Sequence, residues 1–165
     1  MHDRTAFAAF VAEGSPRLMR TAYLLTGERG AAEDLLQDVL ERLYVAWPRV
    51  QDPYAYARRS LAHAGTNRWR RRARRTEVPY LPEHDLPVQD GADTSAEQDR
   101  VVRALAQLSP GQRAIVVLRF FDDQSEAQTA QALGCSPGTV KSQTSRALAR
   151  LRTLLDDEPD LRRTP

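Results

Sequence analysis

A helix-capping residue stands directly before a proline at Ser15-Pro16, Asp52-Pro53, Ser109-Pro110 and Ser136-Pro137. Proline holds φ near its helical value and has no N–H to donate, so it suits the first turn of a helix and disrupts the interior of a sheet. Ser and Asp side chains accept from the unpaired N–H groups of that same turn. Around these starts apolar residues recur at three- and four-residue spacing rather than in alternation. The chain therefore reads as all-α.

The helical stretches fall into two groups. Phe7, Phe10, Val11, Leu18, Ala22 and Leu25 mark a first apolar face, and Gly14-Ser15-Pro16 either interrupts it or opens a second helix. After the turn Thr26–Gly30, the stretch AAEDLLQDVLERLYVAW sets Ala32, Leu35, Leu36, Val39, Leu43 and Trp47 on one side. Glu33, Asp34, Gln37, Asp38 and Glu41 line the other, and Pro48 stops the helix. Asp52-Pro53 then opens a helix whose face, Tyr54, Ala57, Leu61 and Ala64, runs on into RWRRRARR, six arginines in the eight positions Arg68–Arg75. A block of one sign points to phosphate, because an ordinary solvated face mixes signs.

Residues 76–93, TEVPYLPEHDLPVQDGAD, break every period with three prolines, several acids and a glycine, and read as a linker. About 17 extended residues reach roughly 55–60 Å, or ~16–17 base pairs of duplex. Such a tether is expected to leave the two small helical domains, residues 1–75 and 94–155, unaligned in the free protein. The last residues, 156–165, form a short tail.

In the second domain Val101, Val102, Leu105 and Leu108 precede Ser109-Pro110, and Ile115, Val116, Leu118, Phe120 and Phe121 form the next face. Asp122-Asp123-Gln124 reads as a polar turn with solvated acids. Ser125 caps SEAQTAQAL, with Ala127, Ala130 and Leu133 inward. Gly134 ends that helix, and Ser136-Pro137 opens the last one. Two helices joined by a short turn containing Gly form the helix-turn-helix pattern, whose second helix fits the ~12 Å major groove. The last helix has a thin apolar stripe, Val140, Ala147, Leu148 and Leu151, as a helix lying in a groove would need. Lys141 and Arg146 suit guanine edges or phosphates; Ser142, Gln143 and Ser145 suit bases; Arg150 and Arg152 suit the backbone.

Other classes find less support. His2, His63 and His84 are scattered, with no metal-ligand spacing, Gly-rich phosphate loop or catalytic triad, so no enzyme, metal or cofactor is expected. Cys135 is the single cysteine, which excludes an internal disulfide and fits a reducing compartment. No apolar run reaches the ~20 residues of a membrane span, and the N-terminus lacks the pattern of a signal peptide. A cytoplasmic protein without membrane insertion is expected. A stand-alone helix-turn-helix regulator remains the alternative.

The stretch LSPGQRAIVVLRFFDDQSEAQTAQALGCSPGTVKSQTSRALARLR resembles region 4 of a sigma-70 family factor of the extracytoplasmic-function class, close to the SigE-type actinobacterial subgroup. AAEDLLQDVLERLYVAW resembles region 2.2, and DPYAYARRSLAHAGTNRWRRRARR resembles regions 2.3 and 2.4. The resemblance implies a dissociable promoter-specificity subunit of bacterial RNA polymerase. Asp34, Leu35, Gln37 and Asp38 would bind the clamp helices of the β′ subunit of the core enzyme. Tyr56, Arg59, His63, Asn67, Arg68, Trp69, Arg71 and Arg72 would hold and open the −10 element. Ser136, Thr139, Lys141, Ser142, Ser145, Arg146 and Arg150 would read the −35 element, with region 4 on the β flap. An anti-sigma factor is a common partner in the family. The chain departs from the family pattern at His63, usually Asn, and at Asn67, usually Asp. Gln128 is more polar than typical, and Ser145 is smaller than the aromatic of some relatives, which implies a different −35 preference.

Overall fold

The computed structural model describes residues 3–75 and 95–156, with side chains except at 67–75. Helix α1 (Arg4–Thr26) begins where the Asp3 carboxylate accepts from the N–H groups of Thr5 and Ala6, at 3.1 and 3.0 Å. It ends at Gly27, whose φ of 76° only glycine adopts without cost. Ser15-Pro16 neither opens a helix nor interrupts this one: α1 runs straight through Pro16. Pro16 and Ala12, the residue whose carbonyl loses its bond, are both exposed. Meanwhile Phe10 on one side of the proline and Leu18, Ala22 and Leu25 on the other pack into one core. Burial on both sides outweighs the single lost hydrogen bond.

Helix α2 (Arg29–Ala46) buries Ala32, Leu35, Leu36, Val39 and Leu43, then tightens into a 3₁₀ turn at Trp47–Arg49 around Pro48. Phe7 meets Tyr44 and Trp47 edge-on, at centroid distances of 5.0 and 5.1 Å, and closes α1 onto the end of α2. Asp52 Oδ1 accepts from the Ala55 N–H at 2.9 Å and starts α3 (Pro53–Arg75), which buries Ala57, Leu61 and Ala62. These three helices form the first bundle.

The second bundle begins with α4 (Ala96–Ala106), capped by Ser95, and α5 (Pro110–Val116), capped by Ser109. At Val117–Phe121 the chain widens into a π turn, in which the Asp122 N–H reaches the Val117 carbonyl at 3.0 Å. Asp123 follows at φ 52°, a left-handed conformation that Asp tolerates better than most residues. Helix α6 (Glu126–Leu133) starts with a reciprocal capping box. Ser125 Oγ accepts from the Gln128 N–H, and Gln128 Oε1 accepts from the Ser125 N–H, at 3.1 and 2.9 Å. This bond explains the polar Gln128. Gly134, at φ 67°, turns the chain into α7 (Pro137–Asp156), where Ser136 Oγ accepts from the Thr139 N–H at 3.1 Å. On α6 the inward residues are Thr129 and Ala130, while the expected Ala127 is exposed; the capping box sets the helix phase.

The two bundles are not unaligned on a tether. Helices α1 and α3 pack on α4, α5 and α6, and one buried cluster runs from Leu18, Leu43 and Leu61 to Leu105, Val117 and Ala147. Arg113 joins them: its guanidinium donates to the carbonyls of Leu105, Ala106 and Leu108, and also to Leu25 at the end of α1, at 3.0 Å. Asp122, expected in water, is 2% exposed, and Thr21 Oγ lies 3.0 and 3.1 Å from its two carboxylate oxygens. Phe120, expected in the apolar face, is 48% exposed because the π turn rotates it outward. The linker lies outside the described residues, as does the tail beyond Asp156, which is the last residue of α7.

Two predictions follow from these turns. Gly134→Ala should lower stability by about 1 kcal/mol in urea unfolding, from the left-handed backbone alone, since open space surrounds the position. Burial pushes the Asp122 carboxyl above its ordinary 3.8, partly offset by the Thr21 hydrogen bond and by Arg58, Arg17 and Arg20. The folded protein thus holds that proton more tightly than the unfolded chain. The resulting stabilisation is complete below 3.8 and is lost as pH rises through the raised value. Asp122→Asn should therefore gain stability relative to the parent as pH climbs from acid to neutral, read from paired urea titrations.

Candidate nucleic-acid and partner surfaces

Helix α7 divides cleanly into two sides. Val140 and Ala147 are fully buried, Val140 on Ile115 of α5 and Ala130 of α6, and Ala147 in the larger core shared with Val102 and Leu105 of α4 and Ala114 of α5. Both are small, so α7 sits close to its support and its far side projects. Ser136, Thr139, Lys141, Ser142, Ser145, Arg146 and Arg150 are all exposed there. Ser136 and Thr139 hydroxyls meet at 2.9 Å and Ser142 donates to the Thr139 carbonyl, so these short side chains lie flat along the helix. Among the described residues none of Lys141, Arg146 and Arg150 is paired with a carboxylate. Three cations on a slim helix, with hydroxyls between them, match the donors needed for base edges and phosphates. Gln143 does not join this face. It is half-buried, and its Oε1 accepts from Gln112 Nε2 of α5 at 3.1 Å.

On α3, Arg59 and His63 are exposed and Tyr56 is half-buried. The helix backbone continues unbroken to Arg75, so Asn67 and Arg71 follow Arg59 and His63 in four-residue steps of register. The side chains of Asn67, Arg68, Trp69, Arg71 and Arg72 lie outside the described residues. Tyr54 is committed to the fold. Its ring lies between the guanidinium groups of Arg17 and Arg58, at 5.0 and 5.1 Å, and burial is the main cause holding its phenol above the ordinary 10.0.

On α2, Asp34, Gln37 and Asp38 are exposed together with Glu41. Leu35 is not part of this surface: it is 4% exposed and packs in the core, on the apolar side of the helix with Ala32, Leu36, Val39 and Leu43. Val45, 76% exposed, extends the acidic row at its C-terminal end, eleven residues (three turns) from Asp34. Sequence reasoning passed over it because one valine at a helix end carries no periodic signal. Glu33 is turned aside to Arg29 at 3.1 Å. Among the described residues no group of three or more His, Cys, Asp or Glu could hold a metal ion, and no helix is long and apolar enough to cross a membrane.

Residues 10–75 match the model of sigma-70 region 2, and residues 98–151 match that of sigma-70 region 4. The RNA polymerase sigma-E factor of Streptomyces coelicolor is 39% identical over 92% of this chain and 87% of its own length. The ECF RNA polymerase sigma factor SigL of Mycobacterium tuberculosis is 32% identical over 85% of this chain and 83% of its own. Among solved structures, the sigma factor RpoE of Bartonella quintana, in complex with the anti-sigma factor NepR, superposes with a TM-score of 0.71 at 26% identity. It covers 93% of this chain and 98% of that one. CnrH, in complex with the cytosolic domain of CnrY, gives 0.67 at 26% identity, over 94% and 92%. The two family regions fall in order on the two bundles, region 2 on α1–α3 and region 4 on α4–α7, and the chain belongs to the sigma-70 family, in its extracytoplasmic-function class.

Proposed function

We propose that this chain brings core RNA polymerase to promoters by dividing the work between its two bundles. As a member of its family it is a transcription initiation factor. Residues 1–75 engage the β′ clamp helices of the core through Asp34, Gln37 and Asp38. The same unit holds and opens the −10 element along α3, with Tyr56, Arg59, His63, Asn67, Arg68, Trp69, Arg71 and Arg72. Residues 94–155 rest on the β flap and read the −35 duplex with Ser136, Thr139, Lys141, Ser142, Ser145, Arg146 and Arg150. Residues 76–93 join the two, and 156–165 are a tail. The protein works in the cytoplasm, where the polymerase is. The neighbours RpoE and CnrH are held by NepR and CnrY, and a partner of that kind is proposed for this chain.

The observation that carries this reading is the α7 face: seven exposed polar positions from the Ser136 cap onward, three of them cations without a carboxylate partner among the described residues, on a helix whose other side is closed by Val140 and Ala147. Run-off transcription tests it. Added to core polymerase, the protein should give initiation at discrete start points; a stand-alone regulator would bind the duplex and give the core nothing.

Lys141→Ala and Arg146→Ala should each weaken −35 duplex binding by about tenfold and relax base preference, as expected for ~1–3 kcal/mol of direct readout. Arg150→Ala should weaken binding evenly across sequences and reduce the salt slope by about one unit. Fluorescence anisotropy over a salt series separates the two behaviours. The double reversal Asp34→Lys with Asp38→Lys should weaken core binding at least about tenfold while leaving −35 duplex affinity unchanged; titration against labelled core polymerase measures it.

A further inference from the structure

We propose that Gln112 of α5 and Gln143 of α7 form an amide pair that grips one phosphate at the edge of the −35 groove, Gln143 by direct contact and Gln112 by orienting it. The pairing is a feature of the fold; its use on DNA rests on the function proposed above.

The exposed side of α7 carries two lines of residues. Ser142, Ser145 and Ala149, all small and all exposed, lie opposite the buried Val140 and Ala147. That side can go deepest into a groove. Thr139, Gln143 and Arg150 follow one another at steps of four and seven residues, the spacing of a single line along a helix. This second line runs roughly 100° round from the first. It therefore borders the groove, where the walls are phosphate. Thr139 and Arg150 are exposed, and Gln143, half-buried between them, is the member that touches α5.

A primary amide has two N–H donors and a carbonyl oxygen with two lone pairs. Gln112 Nε2 gives one N–H to Gln143 Oε1 at 3.1 Å. Three amide N–H groups, both of Gln143 and one of Gln112, then have no protein partner among the described residues. The bond also decides which way Gln143 turns: its oxygen is held by α5, so its nitrogen is the end left to present. Reading a base takes both ends of a glutamine, and here the oxygen end is engaged. A phosphate needs donors alone.

The surroundings favour an anion. No Asp or Glu occurs between Gln107 and Phe121 or between Gly134 and Leu155. Gln112 is fixed in the first turn of α5, where its backbone N–H donates to Ser109 Oγ at 3.3 Å. Beside it Gly111 is exposed, with open space where a Cβ would stand, so no side chain bars a strand from the pair. An uncharged grip releases no counterion, and its share of the affinity is one that salt does not remove.

The test uses the full chain and a −35 duplex selected from a random pool, with anisotropy followed over a salt series. Gln143→Ala should weaken binding about tenfold, the usual worth of a hydrogen bond to a charged group, at an unchanged salt slope. Gln143→Arg should bind tightly again and steepen the slope by about one unit. Gln112→Ala should weaken binding several-fold alone and hardly at all on top of Gln143→Ala, since it acts through Gln143. Gln143→Glu keeps the acceptor for Gln112, and with it the placement of α7, but sets a carboxylate against the phosphate. It should bind more weakly than Gln143→Ala. Neutral methylphosphonates, introduced one at a time, should reveal one position at which the parent and Gln143→Ala bind alike. Circular dichroism and urea midpoints check that every variant is folded. Parental binding by Gln143→Glu would reduce the pair to a support for α7 and overturn the proposal. A Gln143→Ala penalty that persists at every methylphosphonate position would do the same. A parent that binds its duplex and weakens on Lys141→Ala, with all the glutamine variants silent, overturns the pair alone. A parent that selects no duplex overturns the −35 reading, and the use of the pair with it.

Discussion

Arg113 is the interaction on which the arrangement turns. Helix α4 ends at Ala106, where the helical bonding pattern tightens and the Ala104 and Leu105 carbonyls accept short-turn bonds from the Gln107 and Leu108 N–H groups. The Arg113 guanidinium, reaching back from α5, donates to the carbonyls of Leu105, Ala106 and Leu108. It uses one remaining N–H on Leu25 of α1, which is itself near a helix C-terminus. One planar cation thus neutralises the negative ends of two helices from different bundles. The angle between α4 and α5 follows from it, and with that angle the direction in which α5 delivers the π turn, Asp122 and α6. Leucine or lysine could not replace it, since neither offers several N–H donors spread in one plane.

From α5 the constraint passes to α7. Ile115 supports Val140, and Gln112 holds Gln143 through a side-chain hydrogen bond. These two contacts fix both the depth and the rotation of the recognition helix, so the exposed row from Ser136 to Arg150 is aimed by α5 rather than by its own sequence. Larger residues at Val140 or Ala147 would push α7 away from its support. A thin apolar stripe suits the proposed role of α7, since a helix that enters a groove can spare only a narrow side for packing.

Most helix starts were legible because they are local chemistry. Asp52, Ser109, Ser125 and Ser136 cap as their sequence contexts predict. The Ser125-x-x-Gln128 capping box is equally readable by its spacing, which the comparison of Gln128 with a family pattern does not use. The α7 face was legible for the same reason as its stripe, by period. What escaped depends on distant partners. Pro16 inside α1 is tolerated only because residues on both sides of it share one core. Leu35 was grouped with its acidic neighbours through resemblance, although its own period placed it with Ala32, Val39 and Leu43. Asp122 looks like a turn acid from its neighbours; its burial is decided by Thr21, 101 residues earlier. No local pattern encodes a seam between two bundles.

A net charge of only +2 conceals how the signs are sorted. In the first bundle the exposed face of α2 carries Asp34, Asp38 and Glu41, while α3 carries Arg58, Arg59 and, further on, the sequence run Arg68–Arg75. In the second, α7 presents Lys141, Arg146, Arg150 and Arg152. DNA is a dense line of negative charge, so under the proposed function it would be drawn to α3 and α7 and repelled from α2. Under that proposal the acidic row on α2 does two things at once. It offers a basic protein surface its complement, and it keeps the nucleic acid from occupying that surface first. The same sorting places the inward acid between the bundles, Asp122, against Arg17 and Arg20 of α1 and Arg58 of α3 and not against the carboxylates of α2, so that the first bundle receives it on a basic face.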